Sequence, residues 1–424
     1  MDKEGSQQPG FRPSLGLFDA TAIGVGAIIG GGIFVVTGIT AGLAGSAFLL
    51  SMIVAAAISL FTASSFTELT AWLPKEGSIY EYSYRLISPF AGFLTGWMWI
   101  LSNTFAGAAV SLGFAYYLTA LWPVLPANYV AAIICLAFTA INYYGIRESA
   151  RLNSILVAAK LLILALFIIL GLPHVSSANF APFKPFEAGV LYGAFYIFFA
   201  YGGFARAAVV AEEIKDAKRN VPRAILLALA ISTVVYLLVG TVAVGLVGAD
   251  KLASSNSPLA EAISATGSNA AVLIVSVGGM LATASVLLTS ILGVSRMAYA
   301  MAKRRDLPDA AGRLDSKHNT PYYSVSIIGC AMILLVLLVD LTRVVAISTF
   351  SLLFFYTLAN VSALRLKTGV RVRAKILATL GAGTCLAFLA FALFVSLQSW
   401  LIGAVSLLAG TLYYVAKQRI KPKT

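Results

Sequence analysis

Two cationic side chains stand in apolar sequence, where charge is expensive. Lys160 lies within Val157-Ala158-Ala159-Lys160-Leu161-Leu162-Ile163, and Arg206 follows Phe199-Ala200-Tyr201-Gly202-Gly203-Phe204-Ala205. A cation at the centre of a bilayer costs about 2.5–3.5 kcal/mol on insertion scales, and such a group marks a functional position by default. The two can do different chemistry. A lysine taken out of water gives up its proton more readily, so it can load and unload one. An arginine stays charged and must find a carboxylate, a carbonyl or water.

A second kind of chemistry belongs to the main chain. Glycines cluster in the middle of two apolar runs, Gly24-Val25-Gly26-Ala27-Ile28-Ile29-Gly30-Gly31-Gly32-Ile33-Phe34 and Phe198-Phe199-Ala200-Tyr201-Gly202-Gly203-Phe204. A mid-helix glycine costs about 1 kcal/mol relative to alanine. A break in hydrocarbon frees N–H and C=O groups that lipid cannot satisfy, and it is tolerated only where it is buried or lines a cavity. One such run reads equally as close packing through small residues. The pair reads as a binding site near the bilayer midplane, built from main-chain donors and acceptors.

The elements that must position these groups follow from composition. The chain of 424 residues is 59% hydrophobic and 11% charged, with a mean hydropathy of +0.89. A hydrocarbon core of ~30 Å needs about 20 helical residues. The apolar runs predict twelve spans over about 16–40, 44–72, 88–120, 126–145, 152–171, 188–212, 223–248, 269–301, 322–340, 344–364, 375–396 and 399–416. Period-2 alternation is absent, which excludes a transmembrane β-barrel. The fold class expected is an all-α integral membrane protein in a single domain over 1–424.

The net charge of +13 would suit nucleic acid, but its distribution does not. Lys3, Arg12, Lys75, Arg85, Arg147, Arg151, Lys215, Lys218, Arg219, Arg223, Lys303, Arg304, Arg305, Lys317, Arg371, Lys421 and Lys423 fall among the residues of one side, whereas the other offers Lys184, Lys251 and Arg343. The positive-inside rule makes the crowded side, with both termini, cytoplasmic in a cell membrane. Residues 1–13 carry no cleavage-site pattern. Cys135, Cys330 and Cys385 fall in spans and read as small packing residues, while His174 and His318 fall in loops. No metal site or other cofactor is expected, and no catalytic constellation supports an enzyme.

The broken spans are the first and the sixth. That spacing implies two five-helix halves, about 16–171 and 188–364, with two extra helices over about 375–416. An odd number of spans inverts the second half across the membrane.

The motifs resemble those of the amino acid–polyamine–organocation transporter superfamily. Gly24-x-Gly26-x-Ile28-Ile29-Gly30-x-Gly32-Ile33-Phe34 is similar to its opening motif, and Phe66-Thr67-Glu68-Leu69 with Pro74-Lys75-Glu76-Gly77-Ser78-x-Tyr80 also matches. The sixth span runs into Ala211-Glu212-Glu213-Ile214-Lys215 and Asn220-Val221-Pro222-Arg223-Ala224. Met301-Ala302-Lys303, Leu307-Pro308 and Thr320-Pro321 follow in order. The resemblance implies a five-plus-five inverted-repeat fold with helices 1 and 6 broken, working by alternating access on an amino acid or amine. It implies that N–H groups over Ile29, Gly30, Gly31, Gly32 and Ile33 take the substrate carboxylate, and that carbonyls over Phe199, Ala200, Tyr201, Gly202 and Gly203 take the amino group.

In proton-coupled members a lysine of the fifth span stands where sodium-coupled relatives bind an ion. By that similarity Lys160 is the proton carrier between spans one and eight, with Ser285 and Thr289 as polar neighbours; the competing reading is a fixed ammonium bonded to freed carbonyls. Relatives often place an acidic or amide residue beside Arg206. Here Arg206 is expected to pair with Glu68 in an inner gate, or else to touch an acidic substrate. By the same resemblance Phe199 and Tyr201 are expected to fold over the substrate as an outer lid, the alternative being aromatic packing or an interfacial belt. Ser102-Asn103-Thr104 either lines the pathway or joins helices.

No Asp or Glu falls at mid-span: Asp19, Glu68 and Asp340 lie near span ends. Each extra cationic group of a substrate would need a buried anion, which argues against polyamines, arginine and lysine. The expectation is a neutral amino acid moved with a proton and without sodium. An exchanger is the near alternative and a transporter-like sensor the remote one. A channel would need rings of like residues along a wet pore.

Overall fold

A computed structural model describes residues 14–74, 78–123, 125–144, 150–315, 320–367 and 372–420. Lys3, Arg12, Lys75, Glu76, Gly77, Arg147, Lys317, His318, Arg371, Lys421 and Lys423 lie outside the described residues, as does the side chain of Arg151.

The described residues are helical with no β-sheet. Eight segments are long and apolar enough to cross a membrane, and the first, Leu17–Trp72, is two spans in one. At a rise of ~1.5 Å per residue an unbroken helix of its 56 residues would far exceed a bilayer. It divides instead into α1 (Leu17–Ile28), a π-helical turn (Gly32–Val36), α2 (Thr37–Ala44) and α3 (Phe48–Trp72). The chain reverses at Gly45, whose φ of +56° suits glycine.

A short α4 (Ser78–Leu86) precedes α5 (Pro89–Leu121), α6 (Ala127–Tyr143) and α7 (Ala150–Gly171). The sixth span is α8 (Gly189–Tyr201), a 3-10 stretch (Gly202–Ala205) and α9 (Arg206–Val209). There follow α10 (Ala217–Ser254), α11 (Pro258–Ser264), α12 (Asn269–Lys303), α13 (Tyr322–Leu338), α14 (Leu341–Leu364), α15 (Val372–Val395) and α16 (Leu397–Ile420). These elements account for the twelve expected spans.

Two helices were not expected. Seven-residue α11 and nine-residue α4 are too short and, for α4, too polar to stand out against the spans. The seventh span also outruns its expected bounds of 223–248. Its helix starts at Ala217, and Gly248, at φ +77°, marks a kink rather than its end.

Packing sorts the bundle into a centre and a periphery. Helix α5 lies against α12 and α14, α3 against α8 and α10, and α1 against α7 and α10. Large side chains such as Leu338, Phe394 and Leu412 face outward. In water that surface would aggregate; against acyl chains it costs nothing.

Candidate functional site

Helix α1 runs through Gly24 and Gly26 and stops just before Gly30-Gly31-Gly32. Ile29 leaves helical geometry (φ −76°, ψ 82°) after donating its N–H to Val25 O at 2.7 Å. The chain resumes helix at Gly31. The first N–H groups of a resumed helix have no preceding turn to bond, and they carry the positive end of its dipole. The break after Tyr201 leaves carbonyls in the converse position.

The two breaks touch through their backbones. A Cβ on Gly32 would lie 2.3 Å from Ala200 Cβ and 2.5 Å from its Cα, and one on Gly203 would lie 2.3 Å from both C and O of Ala27. Only glycine permits that approach at either place.

Buried tyrosines hold the freed carbonyls. Tyr236 of α10 donates to Ile28 O at 2.6 Å and reaches Ala200 O at 3.2 Å, joining both breaks through one hydroxyl. Tyr356 of α14 donates to Gly202 O at 2.8 Å. Tyr117 of α5 donates to Phe34 O at 2.7 Å. The Tyr236 and Tyr356 bonds fall at the breaks, where lipid could not satisfy a freed carbonyl.

A cavity of about 70 Å³ opens beside the breaks. It has room for about five waters. Of the residues expected to bind substrate, Gly31, Gly32, Phe199, Ala200, Gly202 and Gly203 line it. Ile29, Gly30, Ile33 and Tyr201 do not. Gly30 packs on Val286 instead, Ile29 and Ile33 are buried in the core, and the Tyr201 ring meets that of Tyr236 with centroids 5.2 Å apart. The turn of each half-helix carries these neighbours away from the cavity.

Lys160 is 2% exposed. Its Nζ donates to Gly26 O of α1 at 3.3 Å and to Ser285 Oγ of α12. The ammonium therefore fastens α7 to α1 three residues before the break, and to α12. Thr289 directs its hydroxyl back to Ser285 O and Val286 O of its own helix.

Arg206 lines the cavity, but the expected pairing with Glu68 is not made. Its Nη2 donates to Asn103 Oδ1 and Ser290 Oγ, both at 3.3 Å. The reason is helical phase. Phe66 of α3 faces the break, its ring 5.6 Å from those of both Phe204 and Tyr356. Glu68, two residues on, points about 200° round the helix from Phe66. Asn103 and Ser102 both line the cavity, while Thr104 bonds back to Ile100 O.

Ile79 of α4 also lines the cavity, so this unexpected helix forms its floor on the side where α3 ends. Polar contacts tie α4 to the end of α12. Glu81 pairs with Arg304 and, at 2.9 Å, with Arg85. Tyr80 donates to Asp306 Oδ2 at 2.5 Å. The Arg304 guanidinium stands 4.5 Å from the Tyr84 ring centroid. On the same side the N-terminal stretch bridges to the chain after α9, Leu15 N donating to Glu213 O and Lys215 N to Leu15 O, both at 2.9 Å.

Comparison with known proteins agrees with this architecture. A family model described as amino acid permease matches residues 15–416. The chain is 34% identical over 413 residues to an uncharacterized transporter of Mycobacterium tuberculosis, covering 97% of this chain and 92% of that one. It is 32% identical over 383 residues to a branched-chain amino acid permease of Bacillus subtilis, covering 85% and 82%. It is 30% identical over 444 residues to a methylthioribose transporter of the same organism, covering 98% and 95%. A multi-span helical bundle with a cavity between two broken helices is what such a protein requires. The chain belongs to the amino acid permease family of the amino acid–polyamine–organocation superfamily, and is a membrane transporter of amino acids rather than an enzyme.

Proposed function

We propose that the protein is a proton-coupled, sodium-independent amino-acid transporter of the cell membrane, with both termini cytoplasmic and an inverted repeat over about 16–171 and 188–364. The substrate carboxylate sits on the N–H groups of Gly31 and Gly32, where the half-helix dipole favours an anion. The ammonium sits on carbonyls of the Ala200–Gly203 stretch. Backbone polarity is enough to hold any α-amino acid by its carboxylate and ammonium, and the relative named as a branched-chain amino acid permease supports neutral amino acids among the cargoes. Among the described residues the lining includes no Asp or Glu, which leaves a cationic side chain without a partner.

The observation that carries the coupling is Lys160 bonded to Gly26 O and Ser285 Oγ. Protonated, it ties α1 to α7 and α12 as a bound cation would. Deprotonated, it loses the charge that strengthens those bonds, and α1 is freer to move. Uptake into sodium-free proteoliposomes, with and without an inward-acid pH gradient, tests this. Gradient-driven accumulation should appear in the wild type and vanish in Lys160→Ala. Accumulation indifferent to pH but dependent on preloaded substrate would make the protein an exchanger with Lys160 a fixed ammonium.

A further inference from the structure

The cavity contains one charged side chain, and its charge is uncompensated. Among the described residues that line the cavity, Arg206 is alone in carrying a charge, and neither Asp nor Glu accompanies it. Its hydrogen-bond partners are neutral, an amide oxygen and a hydroxyl at 3.3 Å, beyond the usual range for N–H···O. Both bonds leave from Nη2, whereas a guanidinium has five N–H donors. Buried charges in proteins are normally paired and hydrogen-bonded. A protein that merely needed a polar joint between α9, α5 and α12 could have used an uncharged residue at far lower cost.

The geometry points to Arg206 as the specificity residue of the substrate site: it seats an anionic side-chain group, so that amino acids with acidic side chains are preferred over neutral ones. This rests on the proposed amino-acid site and adds a third point of contact to it. The α-carboxylate and α-ammonium occupy the two breaks, and the side-chain carboxylate meets Arg206, whose guanidinium Asn103 and Ser290 position from the cavity wall. Charge-assisted bonds to arginine are shorter and about twice as strong as neutral ones. The same charge repels lysine and arginine as substrates.

Competition for labelled alanine uptake in proteoliposomes tests the inference. Unlabelled aspartate, glutamate, leucine and lysine would be compared on wild type, Arg206→Gln and Arg206→Lys. In the wild type an acidic amino acid should compete best and lysine worst. In Arg206→Gln the acidic-to-neutral preference should fall about tenfold or more, with partial recovery in Arg206→Lys; a purely structural arginine would lower all uptake without reordering the panel. Failure of both acids to outcompete leucine on the wild type overturns the inference even if the variants do not fold, and leaves the amino-acid site standing. A folded wild type that moves no amino acid at all overturns that site and this inference together.

Discussion

Where two backbones touch, the smallest change is the most telling. A methyl group on Gly203 meets the carbonyl carbon and oxygen of Ala27, atoms that cannot rotate away. Gly203→Ala should therefore cut transport at least about tenfold while the protein still reaches the membrane, measured as uptake per unit of folded protein. Gly32→Ala meets Ala200 in the same way and should behave alike. Tyr236→Phe is the gentler probe. It strips the hydroxyl from Ile28 O and Ala200 O, and an orphaned buried acceptor costs about 1–3 kcal/mol. Its thermal unfolding in detergent should shift down accordingly. The glycines were legible in the sequence because their conformational cost belongs to the residue type. Tyr236 was not, because its partner Ile28 lies 208 residues away, and a tyrosine in an apolar run looks like packing. The same limit explains Arg206. Its charge was visible, but that Glu68 turns away from it depends on the phase of α3.

At the scale of elements, α4 and the end of α12 form a latch beneath the cavity. Arg304→Ala removes the pairing with Glu81 and the guanidinium over Tyr84. With the floor loosened, a cysteine placed at Val209, which lines the cavity, should react faster with a membrane-impermeant thiol reagent in a background lacking Cys330. Equal rates would show that α4 does not gate the cavity. The latch also has a pH limit. Burial, reinforced by the bond to Asp306, raises the Tyr80 pKa above its ordinary value of 10.0. The phenol's contribution to stability is fully present below that ordinary value and is lost as pH rises beyond it. Melting temperature followed from pH 7 to 11 should fall above about pH 10, and less so in Tyr80→Phe. Span existence was readable from apolar run length, since hydrocarbon thickness sets it. Helix α4 was not, because an amphipathic turn of nine residues carries no membrane-scale signal.

For the whole molecule, parity is the decisive property. An even number of spans returns the chain to its starting side, and in the proposed orientation that side is cytoplasmic. Tags at the two termini should resist external protease on intact cells and be cleaved together in inverted vesicles. Cleavage of one alone would break the span count. The exposed apolar belt, with residues such as Leu338 and Leu412, was predictable from composition, whereas the tilt and mutual packing of the helices depend on contacts far apart in the chain.

The proposed grip on the substrate's carboxylate and ammonium is made of peptide groups. No single-codon change can delete a peptide carbonyl or, proline aside, a peptide N–H. Selection can thus alter the lining at positions such as Asn103 and Arg206 without touching what holds the invariant part of the cargo. A lineage built this way would find new cargoes by changing a few side chains, and would lose the old handhold only by closing the gap that its glycines keep open.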